Sequence, residues 1–381
     1  MKARVIIACE VPLATVSGLT VVVRKLVQYL GDFGSELHVV APEGQRPTPV
    51  EIEARSTSIV SLPSVPLPQY PSLRLALTRT RRLQRIIDDV HPDIVHVMDP
   101  YVLGQGVLRA CRDSKVPAVA SYHTHLPAYL EHYGSPLLQR VLPPLEQLLW
   151  KWIRFNYRDA HEVICPTHAI SDELSRHGVG PVSTWSRGVD TNQFSPARRD
   201  PALRSALLEG RRFLAVCVGR LAREKNIPFV VDALGAMEDV RLVFVGDGPA
   251  RDRLDSDYAS RGVRFVGSKG RADVARYLAS ADVFVFGSTT ETYGQVLNEA
   301  MASGLPVVAV DSAVTREVMS DRPPGHIVPE DRRLFRAAVE EAVDLQRWPN
   351  TRARSLALER SWPAAMRSLM ATYERAMHRN A

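Results

Sequence analysis

No apolar run in this chain is long enough to cross a bilayer, so the sequence offers no membrane-spanning helix. Low-complexity tracts and short repeats are missing as well. The 381 residues must therefore be ordinary folded structure, and that length suits two domains rather than one core. Cysteine is scarce. Cys9, Cys111, Cys165 and Cys217 show neither paired nor metal-type spacing, and three of them lie in apolar strand-like runs. They read as reduced core thiols of a cytoplasmic protein. Lysine is scarce too, at six of the 48 Lys and Arg residues. In so arginine-rich a chain an arginine says little alone, and a retained lysine says slightly more. The net charge of +6 is spread out, with no finger spacing, basic tail or aromatic-basic repeat, which argues against a nucleic-acid partner.

What is present begins with short apolar runs. "MKARVIIACEVPL" has a basic start but only a brief apolar stretch and no small-residue cleavage site, so it reads as a first buried strand. Similar runs follow: "ELHVVAP", "DIVHVM", "PAVASYH" and "EVICPT", then "FLAVCVGR", "RLVFVGD", "VRFVG", "DVFVFGS" and "PVVAVD". Continuous apolar strands separated by helical stretches indicate α/β structure, with parallel sheets covered on both faces. Two such series imply two doubly wound, Rossmann-like domains, broken near "VDTNQFSPARRDP" by Pro196, Pro201 and charge. The expected division is 1–195, 196–360, and a helix at 361–381 crossing back to the first domain. Ligands of such domains sit at strand carboxyl ends, in a cleft between the two.

One stretch, "SLRLALTRTRRLQRIIDDV", places Leu83, Ile86, Ile87 and Val90 on one helical face. Arg74, Arg79, Arg81, Arg82 and Arg85 fill the remainder. A basic amphipathic helix can lie on anionic lipid. A sheet-covering helix with a solvated back accounts for the periodicity better.

The most informative string is "GSTTETYGQVLNEAMASGLPVVAV", from Gly287 to Val310. It reads as loop, helix, a glycine stop at Gly304 and then a strand. Glu291 falls in the loop at the carboxyl end of "DVFVFG", and Glu299 beyond the first turn of the following helix. That helix start turns unpaired backbone N–H groups near Tyr293, Gly294 and Gln295 toward the same space, which suits an anion, and Thr292 beside them is a further substrate-binding candidate. One carboxylate could accept from sugar hydroxyls and the other from a ribose diol. Taken singly, each glutamate is more easily read as a solvated charge.

The E-x7-E spacing followed by "AMASGLPVVA" resembles the retaining nucleotide-sugar glycosyltransferases of family 4, which have the GT-B fold. The resemblance covers essentially the whole chain. "CVGRLAREKN", "VFVGDGPARDRL", "SRGVDTNQF" and "SYHTHLPAYLEHYG" resemble the family's diphosphate-binding, strand-and-turn, interdomain and acceptor-side segments. The texture is closest to glycolipid enzymes, namely sulfoquinovosyltransferases and GDP-mannose-dependent mannosyltransferases. The resemblance assigns Arg220 and Lys225 to the diphosphate, His123 to the place beside the transferred sugar, and Gly18 to the donor loop that opens the first helix. It implies no cofactor and no metal.

Other motifs carry less. "HTH" could bring His123 and His125 to one strand face, but no third metal ligand is in register. "DSD" at Asp255 to Asp257 sits in a charged helical stretch and reads as solvated. "GDGPAR" lacks the third glycine of a dinucleotide fingerprint. Ser312 and Ala313 stand where relatives carry paired glycines, at the expected sugar or acceptor edge.

The resulting expectation is a metal-independent hexosyltransferase using a nucleoside-diphosphate sugar and a lipid or small-molecule hydroxyl acceptor, with retention. It would be cytoplasmic, with peripheral contact at the inner membrane face left open. A nucleotide-sugar sensor without turnover and a retaining glycoside hydrolase are the alternatives.

Overall fold

The computed structural model describes residues 3–13, 18–43, 57–67, 70–128, 142–235, 237–258, 261–320, 323–344 and 349–380. The chain forms two compact units. Described residues of the first lie within 1–127, 141–186 and 363–381, and those of the second within 187–362, together with Ala128. The sequence suggests a break at Pro196, but Val189 and Phe194 are already core residues of the second unit.

The first unit is a seven-stranded parallel sheet of β1 (Arg4–Cys9), β2 (Glu36–Pro42), β3 (Thr57–Leu62), β6 (Ile94–Met98), β7 (Ala118–Ser121), β8 (Glu162–Cys165) and β9 (Val182–Thr184). Their order is β3-β2-β1-β6-β7-β8-β9. β4 (Ser64–Leu67) and β5 (Tyr70–Ala76) form a separate antiparallel pair. The covering helices are α1 (Gly18–Asp32), α2 (Thr80–Val90), α3 (Leu103–Asp113), α4 (Leu142–Tyr157) and α5 (His168–Arg176). The chain winds outward from β1 through β2 to β3 and then returns to lay β6, β7, β8 and β9 on the other side of β1, so the winding reverses between β1 and β6. That switch point is where open α/β sheets leave a crevice at their carboxyl ends.

The basic helix expected over 73–90 begins only at Thr80. Arg74 is on β5, where its guanidinium donates to the Ser64 hydroxyl (2.8 Å) and carbonyl (2.9 Å). In α2 the apolar face is occupied: Leu83 and Ile87 are buried in the first unit's core, with Ile86 and Val90 packed beside them. Leu83 lies against α3 so closely that a side chain at Gly106 would meet it at 2.9 Å. This is the sheet-covering arrangement, with Arg79, Arg81, Arg82 and Arg85 on the exposed back.

The second unit repeats the pattern. Its strands are β10 (Phe213–Val218), β11 (Val240–Val245), β12 (Val263–Phe265), β13 (Val283–Phe286), β14 (Val307–Val310) and β15 (Gly325–Val328), all parallel, ordered β12-β11-β10-β13-β14-β15. Its helices are α6 (Pro201–Leu208), α7 (Ile227–Leu234), α8 (Arg251–Tyr258), α9 (Arg271–Ser280), α10 (Gln295–Ala302), α11 (Ala313–Met319), α12 (Arg332–Asp344) and α13 (Thr351–Glu359). Alternate residues of one strand enter different cores, the reason these strands read as unbroken apolar runs. Leu214, Val216, Phe284 and Phe286 face a core with Leu297 and Ala300. Ala215, Val283 and Val285 face another with Val231 and Phe335. Truncating a ring as buried as Phe284 would cost about 3–5 kcal/mol.

The last helix, α14 (Trp362–Asn380), starts at the end of the second unit and otherwise belongs to the first. There Tyr373 Oη lies 2.6 Å from His96 Nδ1 on β6, and the Trp185 indole donates to the Ala365 carbonyl at 2.9 Å. All four cysteines are buried free thiols. No helix among the described residues is long and apolar enough to cross a membrane.

Candidate active site

In the second unit the switch point lies between β10 and β13, and the loops leaving those two strands carry the predicted residues. Gly219 follows β10, and Gly246, after β11, is pressed onto it. A side chain at Gly246 would stand 1.8 Å from the Gly219 carbonyl oxygen, at a φ of +150°. The two glycines of "GDGPAR" thus serve close loop packing, since Gly248 abuts the Leu221 backbone in the same way. Beyond Gly219 the chain makes a 3-10 turn over Arg223–Lys225. The Arg220 guanidinium donates to Glu224 Oε1 at 2.5 Å, and the Ser288 hydroxyl, just after β13, donates to the Glu224 carbonyl at 3.0 Å. Lys225 Nζ contacts Glu291 Oε1 directly. A small pocket here is lined by Gly219, Arg220, Lys225, Gly287 and Ser288. Arg220, Lys225 and Glu291 therefore meet at one strand-end crevice.

Next comes the helix start. Gly294 is the N-cap of α10, with φ 66° and no side-chain cap. That φ favours glycine, and a side chain there would also press on the Leu297 side chain at 2.7 Å. An uncapped start leaves first-turn N–H groups for an anion. At the other end Gly304 stops the helix with φ 78°; its N–H reaches Met301 O (2.9 Å) and that of Leu305 reaches Ala300 O (3.1 Å). That pattern satisfies the last carbonyls. Arg354 donates to the Ala302 carbonyl at 2.6 Å, adding a cation at the negative end.

Glu299 is not the surface position its sequence neighbourhood allows. It is only 4% exposed, and Arg271 donates to its Oε1 at 3.1 Å. Burial raises its pKa above the ordinary carboxylate range, while Arg271 and a hydrogen bond from Gln295 pull the other way. The Gln295 amide also donates to the Gly188 carbonyl at 3.3 Å. Tyr293 turns inward: its hydroxyl donates to the Arg187 carbonyl, and burial pushes its pKa up to about 12. Its side chain is an anchor for the loop, so only its backbone remains to serve a ligand. Thr292, partly exposed, sits between Glu291 and that anchor.

The first unit has its own switch-point cluster. His123 and His125 lie in the loop after β7, not on a strand. Asp99, buried with φ 57° at the end of β6, accepts from the His123 backbone N–H (2.7 Å) and the Thr124 hydroxyl (3.1 Å). His125 is hydrogen-bonded to Tyr122 (3.0 Å) and paired with Glu173 (3.3 Å), so both ring nitrogens have partners within the protein. Glu10, just past β1, accepts from the Gly104 N–H at the start of α3 (2.7 Å). Burial lifts its pKa to about 7 against those helix amides. Gly18 opens α1, with open space where a side chain would be; its neighbour Ser17 is outside the described residues.

Two sequence suggestions end elsewhere. Ser312 is the N-cap of α11, in a reciprocal capping box with Thr315, which accounts for its hydroxyl without a ligand. Asp255 and Asp257 pair with Arg251 (2.5 Å) and Arg253 (3.3 Å) on the outer face of α8. Among the described residues no group of three His, Cys, Asp or Glu side chains is placed to hold a metal ion.

Comparison with known proteins agrees with this architecture. The Glycosyltransferase Family 4 model matches residues 16–193, and that of Glycosyl transferases group 1 matches 212–344. A GDP-mannose-dependent alpha-mannosyltransferase of Mycobacterium tuberculosis is 35% identical over 97% of this chain and 96% of its own. The chain belongs to glycosyltransferase family 4. An alpha-monoglucosyldiacylglycerol synthase of Acholeplasma laidlawii is 30% identical over 80% of this chain and 79% of its own. Sucrose-phosphate synthase from Thermosynechococcus elongatus shares the fold, with a TM-score of 0.78 at 20% identity and 98% coverage of both chains. The fold of this glycosyltransferase is thus GT-B, with two parallel-sheet Rossmann-like units.

Sequence reasoning missed the glycosyltransferase's Glu224, Arg271 and Asp99. Arg271 is indistinguishable by type among so many arginines, and Glu224 lies inside a charged string. Asp99 had a usable signal, a carboxylate before proline at the end of an apolar strand.

Proposed function

We propose that this glycosyltransferase moves a hexose from a nucleoside-diphosphate sugar to a hydroxyl of a lipid or small-molecule acceptor, with retention and without a metal. The observation that carries the reading is the meeting of Arg220, Lys225 and Glu291 at the β10/β13 switch point. Two cations beside an uncapped helix start suit a diphosphate whose charge grows as the glycosidic bond breaks. Glu291 then orients the sugar through its hydroxyls, with Lys225 holding the carboxylate until the donor's phosphate arrives. Glu299, fixed by Arg271, accepts from the ribose diol. His123, its backbone pinned by Asp99, helps to place the transferred sugar. The acceptor oxygen attacks the face the diphosphate leaves, and the departing phosphate takes the acceptor's proton. Catalysis is positioning plus charge stabilisation.

A glycosidase needs two carboxyls flanking one bond. Here each glutamate is committed to its own cation, which disfavours that alternative. A lipid acceptor is supported by the similarity to a diacylglycerol glucosylating enzyme. A panel of UDP-, GDP- and dTDP-sugars tests the reading by thermal stabilisation and slow hydrolysis. One donor class should raise the melting temperature and be turned over. Stabilisation by none removes the proposal, and stabilisation without turnover on any acceptor favours a sensor.

A further inference from the structure

The outer face of α4 is unusual for a helix whose other side is fully used. Trp150, Ile153 and Tyr157 are buried in the first unit's core. Opposite them Leu148, Trp152 and Phe155, spaced i, i+4, i+7, are 62%, 38% and 40% exposed. Val102 is exposed as well, and its neighbour Tyr101 stacks on Trp152 with centroids 5.7 Å apart and planes at 10°. Side chains held this way lose little further freedom when they meet a surface.

The patch is edged with positive charge. The Arg158 guanidinium lies 4.0 Å and that of Arg109 5.6 Å from the Phe155 ring centroid. On the adjoining flank Lys151, Arg154 and Arg176 line an open groove, together with His177, whose ring stacks on Trp150 at 3.9 Å. Among the described residues Lys151 and Arg154 make no ion pair with a carboxylate, while the charge of Arg176 acts on nearby Glu173 and helps to lower its pKa. A cationic groove running beside a ridge of aromatic and leucine side chains is the charge and shape complement of an anionic bilayer surface. The ridge enters the headgroup–acyl boundary, where aromatic rings are favoured, and the groove takes a headgroup phosphate. The basic helix α2 offers no such ridge, since its apolar face is consumed by the core.

We infer that the exposed face of α4, with the Lys151–Arg154–Arg176 groove, is the surface by which this protein docks on anionic lipid. The inference accompanies the lipid-acceptor reading, but its test needs neither donor nor acceptor.

The test is co-sedimentation of the full chain with vesicles of phosphatidylglycerol and phosphatidylcholine in equal parts, and with phosphatidylcholine alone. Wild type should bind the anionic vesicles, and binding should weaken as salt is raised. Trp152→Ser with Phe155→Ser, and separately Lys151→Glu with Arg154→Glu, should each lower that binding at least about tenfold. Both variants should keep the wild-type melting temperature, which separates lost docking from lost folding. Arg81→Glu with Arg82→Glu, on α2, should bind within about twofold of wild type. Three results would overturn the inference: no vesicle binding by wild type, unchanged binding by the α4 variants, or loss confined to the α2 variant. A shift of the α4 variants from dimer to monomer would instead make this face a contact between copies.

Discussion

The Lys225 ammonium rests on the Glu291 carboxylate, a contact between residues 66 positions apart. The two come from loops leaving neighbouring strands, β10 and β13, so sheet topology alone brings them together. On the proposed reading the ammonium exchanges this carboxylate for donor phosphate.

Lys225→Ala should therefore remove transfer while sparing the fold. Loss of one charge-stabilising group is expected to lower kcat by about 100-fold or more. The pair is roughly a quarter exposed, so its contribution to stability is below about 1 kcal/mol. Lys225→Arg should not restore full activity, because a planar fork does not replace a compact charge. Steady-state rates and a melting curve measure both, and near-normal turnover in the alanine variant would take Lys225 out of the donor site.

Glu299 and Arg271 should behave as one unit. Glu299→Gln and Arg271→Ala should each weaken donor binding about tenfold, and the double variant should lose little more than either alone. Burial already raises the Glu299 pKa and Arg271 opposes the rise. Without Arg271 the carboxyl takes up its proton at higher pH, and a protonated acid accepts poorly from ribose hydroxyls. Donor affinity of Arg271→Ala should consequently fall more steeply on acidification than that of wild type, as calorimetric titration would reveal.

Glu10 supplies a pH signature of the first unit. Its folded pKa is about 7 against an ordinary 4.5, so the folded form holds a proton that the unfolded form has released in between. Stability is unpenalised below the unfolded value and declines as pH rises through 7. Glu10→Gln keeps an acceptor for the Gly104 N–H and removes the decline. The variant should match wild type near pH 4.5 and be more stable at pH 8 by about 1–2 kcal/mol, a shift of a few degrees in melting temperature. Equal melting at pH 8 would contradict this account.

How much was legible depends on what each residue packs against. "FLAVCV" and "DVFVFG" announced themselves because both faces of a central parallel strand are buried, as the split of Leu214 and Ala215 between two cores shows. The β4–β5 pair did not, since it borders the sheet and borrows arginines that look helical in sequence; Arg74 bonds across to Ser64. Gly304 and the flanking helix were readable from a local rule. The inward turn of Tyr293 was not, because its partner is a backbone carbonyl at Arg187, set by the tertiary path of the chain. The shared strand face suggested for His123 and His125 fails for a similar reason. Asp99 draws that segment off the sheet after Ser121. Ion-pair partners such as Arg271 depend on helices meeting in space, here α9 and α10, and leave no spacing to find.

The bond between Tyr373 and His96 gives the chain a particular order of completion. The first unit is begun earliest during synthesis, yet a buried imidazole in its central sheet has to wait 277 residues for its phenol. Trp185 similarly waits for the carbonyl of Ala365. The stretch from Arg187 to Trp362 contains a whole sheet of its own and can close while the tail is still emerging. What is translated first is finished last, and loss of the final helix would strand the half that was already made.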